Sequence, residues 1–268
     1  MTAEEFTTLK NIIYDSSGIA LSQDKIPLLN TRLARRLRAL GLPSPKDYIQ
    51  FLRGGENSEE LLKLLDVVST NTTYFHREPE HFDMFANICK NRADKGGAEF
   101  KVWCAASSSG EEPYTLSMIA HREFERSNIK CRLLATDISL TILNKAQRGI
   151  YLREHVEQLP APLKDRYFRF FSADEENYAE VIPAVKNQLL FKRLNLSEFP
   201  YPLQGPFDVI FCRNVMIYFD NKLKEQIVTE FYRLLKPGGI LFLSKTESLV
   251  AIKNSFISRG MSVYEKGI

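Results

Sequence analysis

The chain has 268 residues, of which 44% are apolar and 26% charged, with a formal net charge of +3. This is the composition of an ordinary globular protein, with length enough for one large domain and a smaller one beside it. It excludes a disordered chain; no apolar run nears the ~20 residues of a membrane span, and so small a charge is no argument for nucleic acid.

From Thr2 to about Ser69, apolar residues recur at helical spacing between breaks at Gly18, Gly41-Leu42-Pro43 and Gly54-Gly55, which predicts a small all-α domain over residues 1–70. Its N-terminus, MTAEEFTTLK, carries acids where a secretory signal would carry bases, so a cytoplasmic protein is expected. The helix from about Ser22 to Leu40 aligns Leu29, Leu33, Leu37 and Leu40 in one stripe and groups Arg32, Arg35, Arg36 and Arg38 around the opposite side. Four like charges within two turns repel one another, and the pattern fits either an acidic partner or a solvated basic face. Residues 71–95 are expected to form a linker and a connecting helix. Within Val68 to Pro79, VSTNTTYFHREP, hydroxyls, an amide, an arginine and aromatics lie within one short reach, as either a loop-borne site or a linker.

The stretch Lys101 to Tyr114, KVWCAASSSGEEPY, is predicted to run from a buried strand through a small-residue turn into a helix. Small residues from Ala105 to Gly110 allow close backbone approach, and a strand, loop and helix N-terminus make the usual ligand crevice of an open α/β sheet. A dinucleotide site would want several glycines and a phosphate at the helix end. Here Glu111 and Glu112 stand there instead. Two carboxylates repel phosphate and suit a ligand with an amino group and a sulfonium, as in S-adenosylmethionine. Equally, the glutamates could complement the helix dipole, or Ser109 and Glu112 could form a capping box.

Lys130 to Asp137, KCRLLATD, reads as the second strand, ending in an acid placed for two ribose hydroxyls or for a helix N-cap. Residues of about 151–187 interrupt the alternation and are read as an inserted subdomain with a few short strands. Leu189 to Leu196 resumes the sheet, and Phe207 to Cys212 is a central strand with Arg213, Asn214 and Tyr218 at its C-terminal end. A helix over Asn221–Leu235, a strand over Ile240–Ser244 and a last strand over about Met261–Lys266, edge or antiparallel, complete the pattern. Cys89, Cys104, Cys131 and Cys212 are widely separated and the histidines form no ligand pair, so free cysteines and no metal are expected.

In this order the segments resemble the chemotaxis receptor methyltransferases, the CheR-type protein-glutamate O-methyltransferases. The resemblance covers nearly the whole chain and rests on STNTTYFHREP (Ser69 to Pro79), WCAASSSGEEPYTL (Trp103 to Leu116), LLATDIS (Leu133 to Ser139), FDVIFCRNVMIYF (Phe207 to Phe219) and LLKPGGILFLS (Leu234 to Ser244). The last is shared by many class I methyltransferases, whereas the first, second and fourth are specific to this family. It implies an α/β fold: a class I, Rossmann-like methyltransferase sheet over residues 96–268 with a small inserted β-subdomain, preceded by the all-α domain.

The resemblance also implies S-adenosylmethionine as cofactor, with S-adenosylhomocysteine as product. By family likeness, Asn71, Thr73 and Arg77 contact its methionine part, Glu112 its amino end, Asp137 the ribose, and Asn195 with Leu196 the adenine. Arg213 and Asn214 line the same pocket, and Arg77 and Tyr218 lie nearest the reacting carboxylate. The implied substrate is the glutamate-rich methylation helices of bacterial chemoreceptors, with Arg32, Arg35, Arg36 and Arg38 as docking residues through charge complementarity. No nucleic acid, no membrane insertion and a monomer are expected. Two positions depart from the family: His76 stands where a second phenylalanine is common, opening a pH dependence near neutrality, and Thr72 replaces an aliphatic residue. Members that tether to a receptor's C-terminal peptide carry a glycine-bearing loop in the inserted subdomain; Phe171 to Lys186 has no glycine, which argues against a tether. The alternatives are an RNA methyltransferase and a cofactor-holding signalling module without turnover.

Overall fold

The computed structural model describes residues 1–54, 58–69 and 71–268. Gly55, one of the expected breaks, and Thr70, within the first family motif, lie outside the described residues.

Among the described residues four α-helices form the N-terminal part: α1 (Ala3–Ser17), α2 (Ile26–Leu40), α3 (Pro45–Arg53) and α4 (Ser58–Val68). Thr2 and Glu5 close a capping box at the start of α1, and Gly18 ends that helix in the left-handed region at φ 72°. The leucine stripe of α2 faces inward as its spacing predicts, joining Phe6, Leu9, Ile13, Tyr48, Leu64 and Leu65 in one apolar cluster.

Helix α5 (Pro79–Lys95) leads into the sheet. Seven strands follow, β1 (Glu99–Cys104), β2 (Lys130–Asp137), β6 (Leu189–Arg193), β7 (Phe207–Cys212), β8 (Leu235–Leu243), β9 (Phe256–Ser258) and β10 (Val263–Lys266), in the spatial order β6-β2-β1-β7-β8-β10-β9. The last strand of the chain, β10, is antiparallel to both its neighbours and lies inside the sheet, so the edge belongs to β9, which sequence reading missed. Three residues, two of them exposed, carry too little pattern to be read as a strand.

Alternation explains the two faces. Val102 and Cys104 of β1 join the cluster built with α5 and α6 (Glu111–Phe124), whereas Trp103 and Ala105 join the cluster built with α11 (Asn221–Leu234). Both faces are covered, and β7 is therefore buried at every position. Strand β8 starts at Leu235, earlier than its apolar run suggests, with an irregular register opposite Phe207 and Val209.

Between β2 and β6 the chain makes α7 (Leu140–Arg148), a three-stranded antiparallel sheet of β3 (Ile150–Leu152), β5 (Glu176–Val181) and β4 (Phe168–Ala173), and the short helices α8 (Arg153–Val156), α9 (Ala161–Tyr167) and α10 (Pro183–Lys186). Asp174 and Glu175 turn the β4–β5 hairpin with φ of 48° and 64°, left-handed positions that glycine or asparagine would fill more easily. Among the described residues no helix is long and apolar enough to cross a membrane.

Candidate cofactor site

The parallel strands β2, β1 and β7 end together where the strand order reverses, the place where an open α/β sheet leaves a crevice. A cavity of about 410 Å³ lies there, within the range of about 300–1,000 Å³ typical of small-molecule sites. Asn71, Thr73, Arg77, Glu112, Asp137, Asn195, Leu196, Arg213, Asn214 and Tyr218 all line it, although they are scattered over 148 positions of the chain from 71 to 218. Motif residues far apart in sequence thus meet on one wall.

At the β2 end, Asp137 is buried, accepting from the Ser108 N–H at 2.9 Å and the Ser139 N–H at 3.1 Å. Burial pushes its carboxyl above the ordinary range, and the backbone N–H groups of Ser139, Ser108 and Ile138 pull against that. A carboxylate has about four lone-pair positions, and those not taken by backbone N–H groups remain for hydroxyls. The N-cap of α7 is Ser139, which accepts from the Ile142 N–H, so Asp137 is free of that role.

The turn between β1 and α6 works differently from its sequence-level reading. Gly110 is at φ 99°, and a Cβ there would stand 2.8 Å from the Tyr151 hydroxyl and 3.0 Å from Ala146 Cβ. Its missing side chain thus makes room for the inserted subdomain and α7, while Ala105, Ala106 and Ser108 provide the cavity wall. No Ser109–Glu112 capping box forms. Ser109 instead donates to the buried Glu111 at 2.6 Å, and Glu111 points away from the cavity in the first turn of α6, its carboxyl raised by burial.

At the β7 end an ion cluster forms. Arg213, 5% exposed, donates to Glu112 at 2.6 Å and to the Arg77 carbonyl at 2.6 Å, and a second carboxylate, Glu78, stands 3.2 Å away. The thiol of Cys104 donates to the other Glu112 oxygen at 3.2 Å. Burial opposes the Arg213 charge, yet the two glutamates outweigh it and hold its pKa above the ordinary guanidinium value. Behind it, Glu247 accepts the N–H groups of Asn214 at 3.0 Å, Met216 at 2.8 Å and Ser244 at 2.9 Å, and so pins Asn214 at φ 59°. Ser244 links the two sides, donating to Glu78 at 3.0 Å and accepting from the Asn214 amide at 2.7 Å. Neither Glu78 nor Glu247 was singled out from sequence. Glu78 lies inside a quoted motif, but only the fold brings it to Arg213.

The helical part supplies a roof. Ile19, Ala20, Leu21 and Ser22, with Lys25, Leu28 and Arg32 of the following turns, line the same cavity, and the Ala20 N–H donates to the Tyr218 carbonyl at 2.9 Å. Asn195 turns its amide toward this roof, donating to the Ser16 carbonyl at 2.8 Å.

One sequence expectation needs correction here. The four arginines of α2 do not share one outward face. Arg35 and Arg38 are exposed, but Arg36 grips the buried Glu60 with two hydrogen bonds of 2.9 and 2.6 Å, and Arg32 donates to the Val68 carbonyl at 2.7 Å. Positions 32 and 36 lie one turn apart beside the leucine stripe, which aims them at α4. His76 stacks on Phe82 at 5.6 Å, and burial takes its pKa below the ordinary imidazole value despite Asp83.

A class I methyltransferase sheet with acid-lined ends and no phosphate cradle defines the general class of this protein. Comparison with known proteins narrows it. Residues 71–264 match the family described as CheR methyltransferase, SAM binding domain, and residues 4–69 match CheR methyltransferase, all-alpha domain. The chain belongs to the CheR methyltransferase family. Among its relatives, the chemotaxis protein methyltransferase of Borreliella burgdorferi is 37% identical, over 95% of this chain and 91% of its own length. That of Escherichia coli is 36% identical over 97% and 89%, and chemotaxis protein methyltransferase 2 of Pseudomonas aeruginosa is 33% identical over 98% and 93%. The cofactor is S-adenosylmethionine, and the lining suits a cationic nucleoside ligand without phosphate: it carries the carboxylates of Asp137 and Glu112 together with apolar Leu194, Leu196 and Ile138.

Proposed function

We propose that this methyltransferase esterifies glutamate side chains on the cytoplasmic methylation helices of bacterial chemoreceptors. The observation that carries the reading is the chemistry of the cavity wall: among the described residues lining it none is histidine or cysteine, and its two carboxylates are engaged, Asp137 by backbone N–H groups and Glu112 by Arg213, so no free base stands ready to activate a neutral acceptor. A glutamate needs none, since its ordinary pKa is about 4.3 and it is already a nucleophilic anion at neutral pH.

S-adenosylmethionine supplies an electrophilic methyl group on its sulfonium. Asp137 holds the ribose diol, Asn195 and Leu196 flank the adenine, Asn71 and Thr73 hold the methionine part, and Glu112 takes the amino group. Family likeness puts Arg77 and Tyr218 nearest the acceptor carboxylate, and the state of the cations on the wall agrees with it: Lys25 stands beside Asp24 at 3.3 Å. Arg213 is held by two glutamates and Arg32 by backbone carbonyls, whereas Arg77 has one long bond to the Thr72 carbonyl, 3.3 Å, and leans over the Tyr74 ring. Arg77 and Tyr218 thus orient the carboxylate for in-line attack, and positioning supplies much of the acceleration. A loose grip suits the task, because tight pairing would stabilise the ground state.

Of the α2 arginines, Arg35 and Arg38 present charge to an acidic receptor helix, while Arg32 and Arg36 hold that face in shape. The inserted subdomain is assigned no tethering role.

Incubation with radiolabelled S-adenosylmethionine and receptor cytoplasmic fragments tests the reading. Label on the fragment, released as methanol by base, is the expected result. Base-stable label or labelled RNA overturns it, and cofactor binding without transfer to any receptor fragment favours a regulatory module instead.

A further inference from the structure

The ion cluster at the β7 end raises a problem that the cofactor assignment alone leaves unsolved. A cofactor ammonium needs an anionic partner, and Glu112 is already in contact with a buried guanidinium at 2.6 Å. Paired one to one with Arg213, Glu112 would present a neutral dipole, and the arginine would repel the incoming cation. The structure contains the remedy. Arg213 is shared with a second carboxylate, Glu78, at 3.2 Å, so the Glu78–Arg213–Glu112 group carries one net negative charge in a poorly solvated place.

Glu78 is built for this position. Its backbone is in the left-handed region, φ 57° and ψ 69°, at the N-cap of α5, a conformation unfavourable for a residue with a side chain. Its side chain caps nothing in the helix. Instead Oε1 accepts from the Ser244 hydroxyl at 3.0 Å, and Oε2 accepts from the Lys245 N–H at 3.1 Å and faces Arg213. His81 Nδ1 stands 3.4 Å from the same carboxylate, but its Nε2 is spent on the Met261 carbonyl, and burial favours the neutral ring. Burial raises the Glu78 carboxyl, yet Arg213, the Lys245 N–H and the Ser244 hydroxyl together hold it below its ordinary value, so it remains an anion. Glu78 does not line the cavity.

We propose that Glu78 is a positioning residue for cofactor recognition: by sharing Arg213 it leaves Glu112 with the negative charge that receives the cofactor's amino group. The inference rests on the assignment of Glu112 to that amino group, and it concerns binding rather than methyl transfer.

Calorimetry with two probes tests it. S-adenosylhomocysteine carries the amino group; 5′-methylthioadenosine keeps the adenosine and sulfur but lacks the amino acid part. In Glu78→Gln, affinity for S-adenosylhomocysteine should fall about tenfold while affinity for methylthioadenosine stays within about twofold of wild type. The double variant Glu78→Gln/Arg213→Gln restores the net charge of the group and should recover affinity for S-adenosylhomocysteine to within about threefold of wild type. Unchanged S-adenosylhomocysteine binding in Glu78→Gln overturns the proposal, as does an equal loss for both probes, which would mark a merely structural role. Should Glu78→Gln not fold, the double variant decides alone: recovered affinity supports the charge argument and a loss of tenfold or more sinks it. If wild type fails to discriminate the two probes, the Glu112 assignment itself is wrong, an outcome distinct from failure at Glu78.

Discussion

Each domain pairs a largely covered arginine with carboxylate, and the two are partnered differently. In the helical domain Arg36 meets one carboxylate, Glu60, which also accepts from the Tyr48 hydroxyl at 2.7 Å. The set is closed: the charges of Arg36 and Glu60 cancel, both Glu60 oxygens are engaged, and none of the three lines the cavity. In the catalytic domain Arg213 meets two carboxylates and the set is open, one negative charge in excess at the cavity wall. A closed ion pair serves the fold, whereas an open one is left ready for a ligand. Variants in the two sets should therefore fail in different assays.

The largest effect on stability is expected at the closed set. Arg36→Ala strands a buried Glu60 and should cost about 3–5 kcal/mol of unfolding free energy, seen as a melting temperature lower by roughly 10 °C. Affinity for S-adenosylhomocysteine at a temperature where the variant is folded should change little. A variant that melts like wild type would show that Glu60 is readily rehydrated and that the set is not closed.

Next comes Asp137, which has no arginine and is held by backbone N–H groups, those of Ser108 and Ser139 among them. Asp137→Ala removes the acceptors for the ribose and leaves the Ser108 and Ser139 N–H groups unpaired, at about 1–3 kcal/mol for each lost contact. Calorimetry should show affinity for S-adenosylhomocysteine and methylthioadenosine reduced alike, on the order of 100-fold. A loss confined to the probe with an amino acid part would place the ribose elsewhere.

This contrast also marks what could be read in the sequence. Strand, small-residue turn and helix around Trp103 were legible because period and residue size are local properties, and the acid at the end of β2 was legible from its place in the alternation. The motif residues that line the cavity were found through family likeness. Partners were not legible. Arg36 and Glu60 are 24 positions apart, Arg213 and Glu112 are 101, and helical spacing says which residues share a face without saying what lies above it. The same limit hid Glu78 and Glu247, and the roof that residues 19–22 lay over the cavity.

A smaller effect should appear with acid. His81 is fully buried beside Glu78 and Arg213, and desolvation, with Arg213, depresses its pKa below 6.5. The folded state thus binds fewer protons than the unfolded chain below that value. The stability His81 contributes is complete above about pH 6.5 and is lost as pH falls toward its folded pKa. His76 acts in the same direction, while Asp137, Glu111 and Glu247, raised by burial, act in the opposite one. All of these are shared by wild type and His81→Gln, so the difference between the two isolates His81. Between about pH 7.5 and 5.5 the melting temperature of wild type should fall further than that of the variant. Equal slopes would show that protonated His81 finds Glu78 as a partner without loss.

The smallest effect should come one position from the largest. Arg35 precedes Arg36 in α2, but its side chain is exposed, so charge reversal strands no buried partner. Arg35→Glu should leave the melting temperature within about 1–2 °C of wild type and cofactor affinity unchanged, since surface charges contribute roughly 0–1 kcal/mol. What should change is the receptor-fragment concentration at half-maximal methylation, raised about three- to tenfold at low salt and less at high salt, because rim charges act mainly by steering. Arg38→Glu should behave alike. If instead Arg35→Glu leaves the receptor dependence untouched, the exposed arginines are a solvated face, and α2 serves the enzyme only through what it buries: its leucines, the closed pair at Arg36, and the roof over the cavity.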